Sequence, residues 1–346
     1  FATDPERGVF ILMILLLTIG GSLLLYGLRA SQIRVAGEYK LLSRETFLQF
    51  NNIILVVIAF MVLLGTLFPL LFDALNLRKI SVGAPYFNAM FNFFMVFLLS
   101  LVAVGQLLRW KRHPIEDLST LLKVGIPVAM VAGLVLPLLM SGSFHWQVWL
   151  GLSLAFWLVA GLVRLLLDRT RNARKPWRAL ARAGGGFWGM WLAHLGLVFV
   201  VVGVVLVSNY EVTRDYRMGP GDRVSMGNYE FEFSGTDVVN GPNFRGDEGT
   251  LTVYRNEREV ARLTPEKRFY TVQSSTMTEA GIDAGLFRDL YASLAEPLDD
   301  DRQVWSMRLQ VKPFVRWMWL GALLMAMGGV VAVLDRRYRR KPGVTL

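Results

Sequence analysis

From Phe187-Trp-Gly-Met-Trp-Leu-Ala-His194-Leu-Gly the chain continues to Val207 without one charged residue. At about 1.5 Å rise per residue, a helix over this run is long enough to cross the hydrocarbon core of a bilayer. His194 then lies roughly 10 Å along the axis from Phe187. An ionisable side chain at that depth is costly and marks a site by default. Three roles are open to it. A neutral imidazole can donate to a hydroxyl or carbonyl of a neighbouring helix, it can ligate a metal or haem iron, or it can relay a proton.

The run has company. Hydrophobic residues make up 53% of the chain and charged ones 18%, a balance outside the range of soluble globular domains. Further apolar runs predict spans at 8–28, 51–72, 88–108, 121–140, 147–167 and 315–334, seven with 187–207. Pro127 and Pro137 predict kinks in the fourth. Asn51 and Asn52 read as capping residues at the start of the second. The chain has no cysteine, which excludes disulfides, thiolate metal sites and a redox-active thiol. It opens on Phe1 instead of Met and runs straight into a span, as a piece of a longer protein would.

Charge is divided unevenly. Residues 208–313 hold 13 Lys+Arg against 18 Asp+Glu, while the whole chain is at +10. The basic residues gather at span ends, which is a topology signal and not a nucleic-acid surface. The loops at 29–46, 109–120 and 168–183 and the tail from Arg336 are basic and belong in the cytoplasm. Alternation places 73–87, 141–146 and 208–313 on the exported side. The expected organisation is a membrane bundle at 1–207, an exported β-rich domain at 208–313, and a last span with a basic tail at 314–346.

Within 208–313, Arg223–Ser234 alternates apolar and polar residues, and Asn256-Glu257 separates two further alternating stretches. About six short strands and a small barrel or sandwich are expected. The domain contains no histidine and no Ser/His/Asp set, so no catalytic residue is identified in it. Elsewhere His113 reads as a solvated histidine of a basic turn. His145, beside Trp146 and Trp149, reads as part of an interfacial aromatic belt, or less simply as a cofactor or substrate contact.

Four stretches carry a resemblance: Phe1-Ala-Thr-Asp-Pro-Glu-Arg-Gly-Val-Phe-Ile, Leu41-Leu-Ser-Arg-Glu-Thr46, Ser81-Val-Gly-Ala-Pro-Tyr-Phe-Asn88 and Trp191-Leu-Ala-His194-Leu-Gly. Together they resemble the C-terminal half of the CcmF family, the haem lyase subunit of bacterial system I cytochrome c maturation. The resemblance implies an all-α polytopic inner-membrane protein with a small periplasmic β-rich domain before the last helix. It implies receipt of haem from the CcmE chaperone and covalent attachment to Cys-x-x-Cys-His motifs of apocytochrome c, with CcmH-type and CcmI-type partners. It also implies a b-type haem in the membrane, held between two histidines on different spans. His194 matches one of these axial ligands. The other ligand, the tryptophan-rich segment and the two exported histidines would lie upstream of Phe1, so this part alone is expected to be inactive.

Trp188, Met190 and Trp191 lie on or near the His194 face, and Gly189 and Gly196 are expected to leave room for a flat ring, unless these residues serve ordinary helix packing. A different class of protein fits the same pattern of spans: a transporter or permease subunit with an exported β cap.

Overall fold

The computed structural model describes residues 5–32, 40–75, 77, 80–141 and 144–335. The basic tail from Arg336, Arg34 of the first basic loop, Lys79 of the second connector and the opening Phe1-Ala-Thr-Asp4 lie outside the described residues. Seven of its helices are long and apolar enough to cross a membrane. They carry many exposed large side chains, such as Leu16 and Leu17 at 73% and 74%, a surface suited to lipid and not to water.

The chain divides into two compact units. The first comprises residues 1–128 and 157–172. It holds α1 (Pro5–Arg29), α2 (Arg44–Ala74) and α3 (Ala84–Gly105). α2 starts earlier than its apolar run suggests. Ser43 caps it, its hydroxyl accepting from the Thr46 N–H at 3.2 Å. Asn51 and Asn52 are therefore interior helical residues, and their expected capping role is corrected. α2 and α3 approach at Gly65, where an added Cβ would meet the Tyr86 ring at 2.6 Å. The Tyr86 hydroxyl donates to the Met61 carbonyl at 3.0 Å, satisfying a polar group among apolar neighbours.

The fourth span is not one regular helix. Leu121–Gly125 forms a π-helical turn, and α4 (Ile126–Ser141) follows. Pro127 cannot donate to the carbonyl four residues back, and its ring crowds that carbonyl. A wide turn there accommodates both facts. The next helix is α5 (Trp146–Thr170).

The second unit comprises residues 129–156 and 173–346. After the short α6 (Pro176–Ala181) comes α7 (Gly185–Tyr210). Ten strands follow: β1 (Val212–Met218), β2 (Arg223–Met226), β3 (Tyr229–Asn240), β4 (Phe244–Arg255), β5 (Arg258–Leu263), β6 (Glu266–Tyr270), β7 (Ser275–Glu279), β8 (Gly281–Ala284), β9 (Arg288–Pro297) and β10 (Trp305–Pro313). The last helix is α8 (Val315–Val333).

The strands form two antiparallel sheets. One runs β1-β10-β9-β8, the other β2-β3-β4-β6-β7 with β5 also on β4. Their inner faces share one core, with Phe231, Phe233, Leu251 and Val253 from one sheet meeting Leu290, Leu294, Trp305 and Met307 from the other. This is a sandwich, with more strands than the expected six. Arg223–Ser234 is two strands joined at Gly227 (φ 61°). Asn256 and Glu257 both adopt positive φ, 50° and 61°, as a type I′ hairpin turn demands.

β1 and β10 pair along their length, Val212 opposite Val311 and Met218 opposite Trp305. Each continues a helix, since β1 follows α7 and β10 leads into α8. The helical pair thus passes directly into a strand pair. The turn into α8 is made by Phe314 in the left-handed region (φ 57°), its N–H donating to the Phe287 carbonyl at 3.0 Å.

Candidate functional site

His194 sits nine residues into α7, about 14 Å along its axis from Gly185. Its Nδ1 lies 2.7 Å from the Met190 carbonyl oxygen. A carbonyl can only accept, so Nδ1 is the donor in this contact, and Nε2 is the nitrogen left to act as a ligand. Among the described residues Nε2 has no hydrogen-bond partner. A half-buried imidazole with one nitrogen anchored to backbone and the other open is the donor arrangement of a metal-ligating histidine.

The other half of the expected site is corrected. Gly189 and Gly196 do not leave room for a ring, because α8 occupies that space. A Cβ on Gly189 would stand 2.5 Å from the Gly328 carbonyl oxygen, and one on Gly196 2.5 Å from that of Gly321. Gly203 closes on Met318 in the same way, at 2.7 Å. Positions 189, 196 and 203 repeat every seven residues and line one seam. At 3.6 residues per turn His194 lies about 140–180° around the helix from the positions of that seam. A planar group on Nε2 therefore belongs on the face away from α8, with Met190 and Trp191 within about 60° of the histidine. Trp188 is turned further off, its indole N–H donating to the Leu180 carbonyl at 3.2 Å. Of the residues expected at the site, His194 is the one that offers a nitrogen suited to holding a haem iron. The glycines do not take part.

The remaining histidines separate. His145 is exposed, and its ring stands edge-on to Tyr210 at 5.6 Å. Trp149 nearby donates to the Met130 carbonyl at 3.2 Å. His113 is not solvated. It is 9% exposed, its N–H donates to the Leu42 carbonyl at 2.9 Å, and its Nδ1 accepts from the Arg109 N–H at 3.3 Å. Burial holds its pKa below the usual histidine value, against the pull of the Asp117 carboxylate. The sequence around it, a run of bases before Pro114, gave no sign that its backbone would pair with Leu42.

Where the sandwich meets α8, the Asp289 carboxylate is 2% exposed and stands 3.5 Å from Arg316 Nε in the first turn of that helix. It also accepts from the Gly285 N–H at 3.1 Å. Burial, with the Asp289 charge beside it, pushes the Tyr291 phenol up. Lys312 pairs with Glu211 at 3.4 Å, tying the two ends of the sandwich together. No group of three or more His, Cys, Asp or Glu able to hold a metal ion occurs among the described residues.

Seven spanning helices, a sandwich carried between the last two, and an anchored histidine inside the sixth define a polytopic membrane protein with a water-exposed β module. The family model for the CcmF C-terminal β-sandwich matches residues 209–313. The chain is 50% identical over 346 residues to the cytochrome c-type biogenesis protein CcmF of Pseudomonas aeruginosa, covering 99% of this chain and 51% of that one. It is 42% identical over 342 residues to CcmF of Escherichia coli, covering 99% and 51%. A solved structure named cytochrome c heme lyase CcmF superposes with a TM-score of 0.70 at 23% identity, over 85% of this chain and 46% of that one. That likeness supports the fold. The chain belongs to the CcmF family and spans about half the length of the curated relatives it matches.

Proposed function

We propose that the protein to which this chain belongs is a haem lyase subunit of cytochrome c maturation in the bacterial inner membrane. It receives haem from the CcmE chaperone and promotes its attachment to the Cys-x-x-Cys-His motif of apocytochrome c, alongside CcmH-type and CcmI-type subunits. The observation that carries this reading is the match of 99% of the chain to CcmF proteins at 42–50% identity.

Within this reading His194 is an axial ligand of a b-type haem, and the second axial histidine lies on the remainder of the protein. When bound, that haem supplies one-electron exchange. His194 contributes the Nε2 lone pair. The Met190 carbonyl fixes the tautomer and ring plane, so the ligand is oriented before iron arrives. The histidine is about 24 Å along α7 from Tyr210, where the sandwich begins. Haem attached to a cytochrome on the sandwich side therefore cannot be the haem held by His194, and electron supply is the role that suits its depth. The 208–313 sandwich lies in the periplasm and serves as a docking module. No catalytic residue is identified in it, and its two termini are held together by the β1–β10 pair.

The test is His194→Gly in the full-length protein, with and without added imidazole. Loss of the low-spin haem b spectrum and of cytochrome c assembly, both restored by imidazole, is the expected result. A six-coordinate spectrum and normal cytochrome assembly in the variant without imidazole would remove His194 from the site.

A further inference from the structure

The sandwich as a whole is acidic, yet one of its faces is not. β3, β4, β6 and β7 extend as a four-stranded arm, and on one side of it the register sets Asn240 opposite Arg245, Arg245 opposite Phe269, and Asp247 opposite Lys267. Above this face is a cleft of about 590 Å³ into which Arg245, Lys267 and Arg302 all project, with Phe269 and Val238 as apolar surface. Arg302 is bound to Asp247. Arg245 and Lys267 have no carboxylate partner among the described residues.

Two unpaired cations in a domain of 18 acidic and 13 basic residues are a local reversal of charge. They are also held in place. The Arg245 guanidinium lies 5.9 Å from the centre of the Phe269 ring, and Lys267 Nζ donates to Thr278 Oγ1 at 3.2 Å. Cations so held lose little freedom when an anion arrives, which is the condition for a specific contact. Beside them Val238 is 77% exposed and Phe269 36%.

We infer that this cleft binds an extended acidic segment of a partner protein, the inference resting on the reading of the sandwich as a docking module. The spacing selects the segment. Arg245 and Lys267 are diagonal neighbours on one face of an antiparallel pair, about 7–8 Å apart. Carboxylates at positions i and i+2 of an extended chain are about 6.8 Å apart and point the same way. A Glu-x-Glu or Asp-x-Asp segment with an apolar residue two positions away places one carboxylate on each cation and the apolar side chain over Phe269 or Val238.

The experiment uses full-length protein in detergent and a rhodamine-labelled peptide, Val-Ser-Glu-Ser-Glu-Ser-Val, read by fluorescence anisotropy. The control peptide carries Gln for both Glu. The acidic peptide is expected to bind about tenfold or more tightly than the control, because hydrogen bonds to charged groups differ by that much from neutral ones. Arg245→Ser with Lys267→Ser should abolish the difference, and Arg245→Glu with Lys267→Glu should bind the peptide carrying Lys for both Glu. Equal binding of the acidic and Gln peptides, or wild-type affinity in the double Ser variant, overturns the inference. Cells separate it from the docking reading. If deletion of 208–313 blocks cytochrome c assembly while the double Ser variant assembles normally, docking stands and this cleft is not its site. If the peptide results hold but the deletion leaves assembly intact, the cleft stands and the docking role falls.

Discussion

Gly196 of α7 and Gly321 of α8 face each other so closely that a methyl group on either would stand 2.5 Å from the other's carbonyl oxygen. Two turns away Gly189 and Gly328 repeat the relation, at 2.5 and 2.6 Å. Small residues let two membrane helices bring their backbones together, and packing between them takes the place of a hydrophobic driving force that lipid cannot supply. Gly196→Ala should therefore lower stability by about 1–3 kcal/mol, the usual penalty of overpacking. Gly321→Ala should do the same. The double variant should lose less than the two singles combined, since either methyl already forces the helices apart. Thermal unfolding of the detergent-solubilised protein reads all three. An unchanged midpoint for Gly196→Ala would mean the seam can widen freely.

The spacing of these glycines was plain in the sequence, and what they face was not. Gly189 and Gly196 flank His194, which invites the idea of space for a ring. The body that fills the space, α8, is separated from them by the entire sandwich. Periodicity identifies a face of small residues but carries no information about which distant element closes on it. His194 itself was legible, because one ionisable residue in a long apolar run stands out on composition alone. Its anchoring by Met190, four residues back, follows from helix geometry.

Asp289 and Arg316 join the sandwich to α8. The carboxylate is 2% exposed and the guanidinium side chain 46% exposed, at 3.5 Å. Removing Arg316 leaves a buried charge that keeps the Gly285 N–H and the Tyr291 hydroxyl but has no cation beside it. Arg316→Met should cost about 1–3 kcal/mol, the penalty of an unsatisfied buried acceptor. Arg316→Lys should recover part of that. Adding Asp289→Asn to Arg316→Met should be milder than Arg316→Met alone, since no charge is then left unpaired. Unfolding midpoints of the three variants decide it, and equal losses in all would show that the pair is not coupled.

The membrane orientation is open to a direct test. Basic loops put Arg174 in the cytoplasm, and alternation puts Asn228, in the β2–β3 turn, outside. This chain contributes no thiol, so single cysteines at these positions report cleanly against it. An impermeant maleimide should label Asn228→Cys in intact spheroplasts and Arg174→Cys only after lysis. Labelling at 174 in intact cells would invert the scheme.

Strands were only partly legible. β3 and β4 alternate cleanly, and their turn chemistry at Gly227 and Asn256-Glu257 is overt. β9 is harder to see. Arg288-Asp-Leu-Tyr-Ala-Ser-Leu-Ala does alternate, with Leu290, Ala292 and Leu294 on the core face, but the small Ala and Ser at its centre give a weak apolar signal. Asp289 falls on the opposite face, and its burial there depends on Arg316 of a helix, which periodicity cannot show.

His113 provides the last test, and it turns on pH. Its backbone N–H is held by the Leu42 carbonyl and its ring Nδ1 by the Arg109 N–H, and burial lowers its pKa below the usual histidine value. Asp117 and Asp168 pull the other way, while Arg109 adds to the lowering. The folded state thus binds the proton less readily than the unfolded state. Stability from this residue is fully present above about pH 6.5 and is lost as pH falls from there toward the folded pKa. With Nδ1 accepting from the Arg109 N–H, the neutral ring carries its proton on Nε2, which is buried without a hydrogen-bond partner, and a second proton would have to go on Nδ1 and break the Arg109 contact. Wild-type protein should lose thermal stability between pH 7 and pH 5 by more than His113→Gln does. The glutamine keeps an acceptor for the Arg109 N–H and does not titrate. Parallel pH profiles for the two proteins would show that the imidazole stays neutral or stays charged throughout, and that its burial has no part in acid sensitivity.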